Sequence, residues 1–223
     1  MTELLLQTTN LSLAVQVLAG VWGSLGFFKK LPARDRALQT SLGIETAVQI
    51  VELLFYVGFV SSFNADTMAE TRYKDWLVTT PAMLVSAMLY FSYEQARESA
   101  SDGVVSLKTL FRESWPSVAA VLISNFLMVA FGYAGETGLL PVAWCAAFGF
   151  LALAVTFLVM WKDLASQSKR GRRVFWFMLA AWSLYGLAFL LPTVPKNVSY
   201  NLLDVVAKNF FGVYLAIEVM RSG

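Results

Sequence analysis

The chain has 223 residues, of which 57% are hydrophobic and 14% charged, with 17 basic and 15 acidic side chains, one cysteine and no histidine. That balance is far from a soluble domain of this size and points to a protein embedded in a membrane. The missing histidine excludes histidine acid–base catalysis and histidine zinc sites, and the lone Cys145 excludes an internal disulfide or a cysteine metal centre.

Apolar stretches of roughly 20 residues, long enough to cross ~30 Å of hydrocarbon, occur seven times. They cover residues 4–28, 38–63, 71–93, 115–133, 139–161, 174–191 and 197–220. The first is preceded only by Glu3 and lacks a basic leader and a small-residue cleavage site, so it reads as a retained span and not as a signal peptide. The runs are continuous and rich in Leu, Ala, Met and Phe, without the alternation a transmembrane barrel requires, so the spanning form is helical. The expectation is an all-α, multi-pass integral membrane protein: one domain, residues 1–223, built as a seven-transmembrane-helix bundle.

Orientation follows from the basic residues. Lys29, Lys30, Arg34 and Arg36 follow the first span, Arg97, Lys108 and Arg112 the third, and Lys162, Lys169, Arg170, Arg172 and Arg173 the fifth. The alternate loops "NADTMAE", "GYAGETG" and "TVPKN" are short and acidic to nearly neutral. The N-terminus is therefore expected outside and the C-terminus in the cytoplasm. The net charge of +2 reports this topology and gives no reason to invoke nucleic acid. No phosphate-binding glycine loop, catalytic triad or long repeat occurs, and nothing implies enzymatic turnover.

Polar residues inside the spans carry the remaining information. Ser, Thr, Asn and Gln in a membrane helix often serve only as hydrogen-bond glue. Ionisable groups differ, because a charge near the bilayer centre costs at least about 2.5 to 3.5 kcal/mol and must be paired or hydrated. In the second span Glu45, Gln49 and Glu52 fall at i, i+4 and i+7, forming one stripe. In the third, "TRYKDWLVTTP" sets Arg72, Lys74 and Asp75 beside an apolar run. In the seventh, "NVSYNLLDVVAKNFFG" places Asp204 one turn before Lys208, with Asn201 and Asn197 extending the face. A structural Asp–Lys pair fits this spacing. So does an imine-forming lysine, whose protonated imine a neighbouring carboxylate would stabilise.

"RYKDWLVTTP" and "DVVAK" together resemble the third- and seventh-helix signatures of the microbial rhodopsins, and the resemblance extends over essentially the whole chain. It implies retinal bound as a protonated Schiff base to Lys208, with Asp75 and Asp204 as counterions, Arg72 bridging them on the extracellular side and Thr79 beside them. It further implies that Trp76 and Trp182 sandwich the polyene, that Tyr185 lies near the lysine, and that Thr80, Met83, Met128 and Trp144 complete the wall. Three residues depart from the family pattern: Gly186 where proline is usual, Phe189 where tryptophan is usual, and Asn125 where pumps often carry aspartate.

The third-span triplet Asp75, Thr79 and Ser86, the short chain and the glutamates seven apart resemble in particular the group I viral rhodopsins of large algal viruses, whose members include light-gated cation channels. Ser86 cannot reprotonate a Schiff base as the carboxylic acid usual at that position in outward proton pumps does. On this reading Ser12, Glu45, Gln49, Glu52, Asn197 and Asn201, with Gln16 nearby, line a hydrated path between the first, second, third and seventh spans. Acidic linings favour cations. Thr80 and Asn125 stand where algal channels carry a cysteine–aspartate gate pair. The expected function is a light-gated cation channel moving cations or protons across the lipid membrane. A slow outward proton pump is the alternative, and then a photosensor, which would need a separate transducer. Family analogy also suggests a homo-oligomer.

Overall fold

A computed structural model describes residues 2–100 and 103–222, and among these the regular structure is entirely helical. The elements are α1 (Thr2–Leu25), α2 (Arg36–Ser61), α3 (Ala65–Glu98), α4 (Leu107–Glu113), α5 (Trp115–Glu136), α6 (Val142–Asp163), α7 (Lys169–Phe189), α8 (Thr193–Asp204) and α9 (Phe210–Arg221). A π-helical turn, Val205–Asn209, joins α8 to α9, so the two form one rod. With α4 set aside as a short connecting helix, seven rods cross the molecule, as the seven apolar stretches predict.

Five rods are long and apolar enough on their own to span a membrane: Glu3–Phe28, Ala33–Ser61, Ala65–Glu98, Trp115–Glu136 and Val142–Gln167. The sixth and seventh are less apolar than their neighbours for identifiable reasons. The first turns of α7 carry Lys169, Arg170, Arg172 and Arg173, and the seventh rod buries Asn197, Asn201, Asp204, Lys208 and Asn209 against other helices.

Local chemistry sets the helix ends. The Asn64 side chain accepts from the Asp66 N–H at 2.9 Å to start α3, and Ser106 with Thr109 forms a reciprocal capping box at α4. Gly138 turns the chain from α5 to α6 at φ +71°, a left-handed conformation that glycine adopts without strain. The 34 residues of α3 extend about 50 Å at 1.5 Å per residue, beyond the hydrocarbon thickness, so Glu94 and Arg97 lie near one end of the bundle.

The three basic connections lie at one end, referred to below as the basic end. There Lys29 donates to the carbonyl of Met220 at 2.5 Å, tying the end of α9 to the exit of α1. Helix α5 packs on α6 and α2 on α3, while α1 lies against α2, α8 and α9. The outward faces are apolar: Leu18, Leu54, Leu151 and Leu158 are largely exposed, as lipid-facing side chains are. The interior is divided. An aromatic and aliphatic core fills the space between α3, α5, α6 and α7, and buried polar groups run between α1, α2, α3 and the seventh rod.

Candidate functional site

Lys208 lies in the π-helical turn, 3% exposed, and three carboxylates from three helices surround it. Its Nζ donates to Glu52 Oε1 at 3.0 Å and to Asp75 Oδ2 at 3.1 Å, and lies 3.4 Å from Asp204 Oδ1. A π turn inserts one residue into the helical ladder and recurs at functional sites. Here it leaves Lys208 and Asp204 on one face, while Asn209 turns back to donate to the Asp204 carbonyl at 3.3 Å.

Two expectations change. Glu52, expected along the path, touches the lysine, because the stripe on α2 faces the seventh rod at that height. Arg72 does not bridge the two aspartates. Its Nη1 pairs with Asp204 Oδ2 at 2.8 Å and donates to Tyr56 Oη at 3.0 Å, while its Nη2 donates to Asn201 Oδ1, and among the described residues it makes no direct pair with Asp75. The guanidinium is held on the Asp204 side by the rings of Tyr56 and Phe59, whose centroids lie 5.1 and 5.0 Å from its central carbon.

Asp204 is the most heavily bonded of the three carboxylates. Tyr56 donates to it at 2.6 Å and Tyr185 at 2.7 Å, in addition to Arg72. Asp75 Oδ1 and Glu52 Oε2 are buried without a hydrogen-bond partner. Thr79 donates to the backbone carbonyl of Asp75 at 3.0 Å, so it braces the helix beside that carboxylate.

From Lys208 an apolar cavity runs between α3, α5, α6 and α7. Trp76, Thr80, Met83, Met128, Trp182 and Tyr185 line it, as the sequence leads one to expect. Trp144 does not. It is 62% exposed on the outer face of α6, stacked on Phe148 with centroids 5.8 Å apart, and its neighbour Cys145 lines the cavity in its place. One residue is about 100° of helix rotation, enough to carry a side chain from wall to lipid. Thr80 accepts from Asn125 Nδ2 at 2.9 Å, joining α3 to α5 beside the cavity.

The departures at Gly186 and Phe189 have a packing reason. A Cβ at Gly186 would fall 2.6 Å from the Phe150 ring, so the glycine makes room for a side chain that lines the cavity. Gly135 leaves space in the same way for Phe189, which also lines the cavity. A long apolar cavity with an amine at one end and carboxylates behind that amine suits an apolar aldehyde bound as an imine.

Polar groups continue on both sides of the lysine. Away from the basic end, Asn201 donates to Thr8 at 2.9 Å and Thr9 at 3.0 Å, and Asn197 donates to the carbonyls of Ala65 and Thr193 at 3.2 and 3.0 Å. Toward the basic end, Ser12 accepts from Gln16 at 3.3 Å. Glu45 is 0% exposed with the Ser86 hydroxyl beside its carboxyl group, and Gln16 Oε1, Gln49 Oε1 and Asn209 Oδ1 are buried and unpartnered. Ser86 and Ser41 exchange hydrogen bonds to each other's carbonyls at 3.3 and 3.2 Å, clamping α3 to α2.

Sequence reasoning missed Tyr56, Asn209 and Cys145 in these roles. Tyr56 was within reach, since it continues the 45, 49, 52 stripe by one further turn. No single-chain signal separates Cys145 from Trp144.

The family model described as "Bacteriorhodopsin-like protein" matches residues 7–221. The green-light absorbing proteorhodopsin of the gamma-proteobacterium EBAC31A08 is 24% identical over 221 residues, covering 89% of this chain and 82% of the relative. The crystal structure of viral rhodopsin OLPVRII superposes with a TM-score of 0.82 at 23% identity, covering 98% of each chain. Xanthorhodopsin, described as a light-driven ion pump with dual chromophore, gives 0.75 at 19% identity, covering 98% of this chain and 93% of its own. The protein therefore belongs to the bacteriorhodopsin-like family of microbial rhodopsins, multi-pass membrane proteins that carry retinal as a Schiff base on a lysine.

Proposed function

We propose that this rhodopsin is a light-gated cation channel with retinal on Lys208, its N-terminus outside and its C-terminus in the cytoplasm. Retinal supplies a light-driven isomerisation and a cationic nitrogen at the position of the Lys208 amine. The protein's own groups do the rest. Asp75, Asp204 and Glu52 hold negative charge around that nitrogen, and Asp75 is placed to accept its proton. Arg72, Tyr56 and Tyr185 hold Asp204 in place, which leaves Asp75 and Glu52 the freer members of the set.

The observation that carries the channel reading is Glu45, fully buried with Ser86 alone beside its carboxyl group, among buried and unpartnered groups of Gln16, Gln49 and Asn209. Buried polar atoms without protein partners require water or ions. A carboxylate-lined, hydrated column between α1, α2, α3 and the seventh rod favours cations and repels anions. Ser86 adds to this, since it is engaged with Ser41 and has no acidic proton to return to the Schiff base.

An outward proton pump is the second reading, favoured by the 3.1 Å approach of Asp75 to Lys208. The photocurrent as a function of voltage, in a retinal-supplied bilayer with symmetric solutions, separates the two. Reversal near zero voltage establishes passive conduction. A current of one sign across the whole range establishes a pump and withdraws the path assigned to Glu45, Gln49 and Asn209.

A further inference from the structure

At the basic end lies a cluster that the proposed function does not use. Glu94 on α3 and Glu218 on α9 are 3% and 7% exposed. Arg170, in the first turn of α7, reaches both: its Nη1 pairs closely with Glu218 Oε2 and lies 4.0 Å from Glu94 Oε1. Arg97 stands at the rim, 3.6 Å from the same Glu94 oxygen. That oxygen is buried and has no hydrogen-bond partner, so the two arginines compensate its charge without satisfying it. Tyr90 and Tyr214 share a hydrogen bond of 2.7 Å close by, joining α3 to α9. Helix α7 is also held to α3 where Glu98 accepts from the Lys169 N–H at 2.7 Å.

The two kinds of group differ in mobility. The carboxylates are enclosed by the ends of three helices, whereas the Arg170 side chain is 44% exposed, on a flexible stem that reaches in from the rim. If Arg170 leaves, two buried carboxylates face Arg97 alone, and one negative charge is uncompensated at a cost the protein cannot carry without another cation. Carboxylate oxygens are hard ligands suited to small hard cations.

We infer that Glu94 and Glu218 form a cation-binding site at the cytoplasmic end of the bundle, which the Arg170 guanidinium fills as a tethered cation in the dark. Movement of the first turn of α7 withdraws the guanidinium and hands the site to a free ion such as Na+. Return of Arg170 expels that ion and closes the end of the path. The gating step rests on the channel reading, and the binding site does not.

The test compares the melting of purified, retinal-bound protein in sodium chloride and in N-methyl-D-glucamine chloride at equal ionic strength. Arg170→Gln is expected to melt several degrees higher in sodium, because an ion bound only by the folded state stabilises it. Wild type, and Arg170→Gln combined with Glu94→Gln and Glu218→Gln, are expected to melt alike in the two salts. Equal melting of Arg170→Gln in both salts overturns the site, and folding of that variant only in sodium supports it. Should Arg170→Gln fold in neither salt, Arg170→Lys and Glu218→Gln decide by current closure after light-off. Closure at the wild-type rate in Arg170→Lys and several-fold slower in Glu218→Gln supports the tethered cation, and equal closure in the two overturns it. A wild-type current of one sign withdraws the channel reading and with it the gating step, while the melting comparison still judges the site independently.

Discussion

Lys208 lies as close to Glu52, at 3.0 Å, as to Asp75, at 3.1 Å, although 156 residues separate it from the one and 133 from the other. A third carboxylate at the attachment lysine changes what each acid is expected to do. Negative charge near the cationic nitrogen stabilises the state in which positive charge is localised there, so removing one such charge narrows the optical gap. Asp75→Asn and Glu52→Gln are each expected to shift the absorption of the retinal-bound protein to the red. An unchanged spectrum in Glu52→Gln would remove that residue from the set.

Lys208→Ala is expected to abolish the visible chromophore altogether when retinal is supplied to the purified protein. Persistence of a red or purple pigment would end the Schiff-base assignment to this lysine.

The placement of α6 makes a contrasting pair. Trp182→Ala, which opens the cavity wall, is expected to move the absorption maximum, while Trp144→Ala, on the outer face, is expected to leave it where it is. A large shift from Trp144→Ala would mean that α6 is rotated relative to the geometry described above.

Tyr56→Phe removes the hydroxyl that donates to Asp204 and accepts from Arg72. Leaving buried polar partners unsatisfied costs about 1–3 kcal/mol, to be read as a lower midpoint in thermal or denaturant unfolding. Gly186→Ala tests packing in the same assay. Its Cβ would meet the Phe150 ring at 2.6 Å, and overpacking of that kind costs about 1–3 kcal/mol. Wild-type stability in Gly186→Ala would show that Phe150 can move aside freely.

For the path, Glu45→Gln is expected to weaken discrimination between cations and chloride. The readout is the reversal potential when salt is diluted on one side of the membrane. An unchanged reversal potential alongside a robust current would place the ion path elsewhere.

Much of the cluster around Lys208 is legible in the sequence. Asp204 and Lys208 four apart, the Glu45, Gln49, Glu52 stripe and the Asp75 segment each stand out because ionisable groups at membrane depth are costly and so carry information. Thr80 and Asn125 meet as their expected pairing implies. Two assignments failed for different reasons. Trp144 lost its place on the wall to its own neighbour, because spacing leaves the rotation of a helix about its axis free to within a residue. Arg72 was expected to bridge two acids but pairs with one, because Tyr56 and Asn201 from other helices hold its guanidinium on the Asp204 side.

The membrane setting, the number of rods and the identity of the ionisable groups follow from one dimension, because hydrocarbon thickness demands apolar length and punishes every unpaired charge within it. Which groups meet is a property of three dimensions. Glu52 and Asp75 come from the consecutive helices α2 and α3, Asp204 and Lys208 from the distant seventh rod, and their distances are set by how the rods rotate and pack. The same holds for Arg170 between Glu94 and Glu218, where three helix ends converge at positions no local pattern connects.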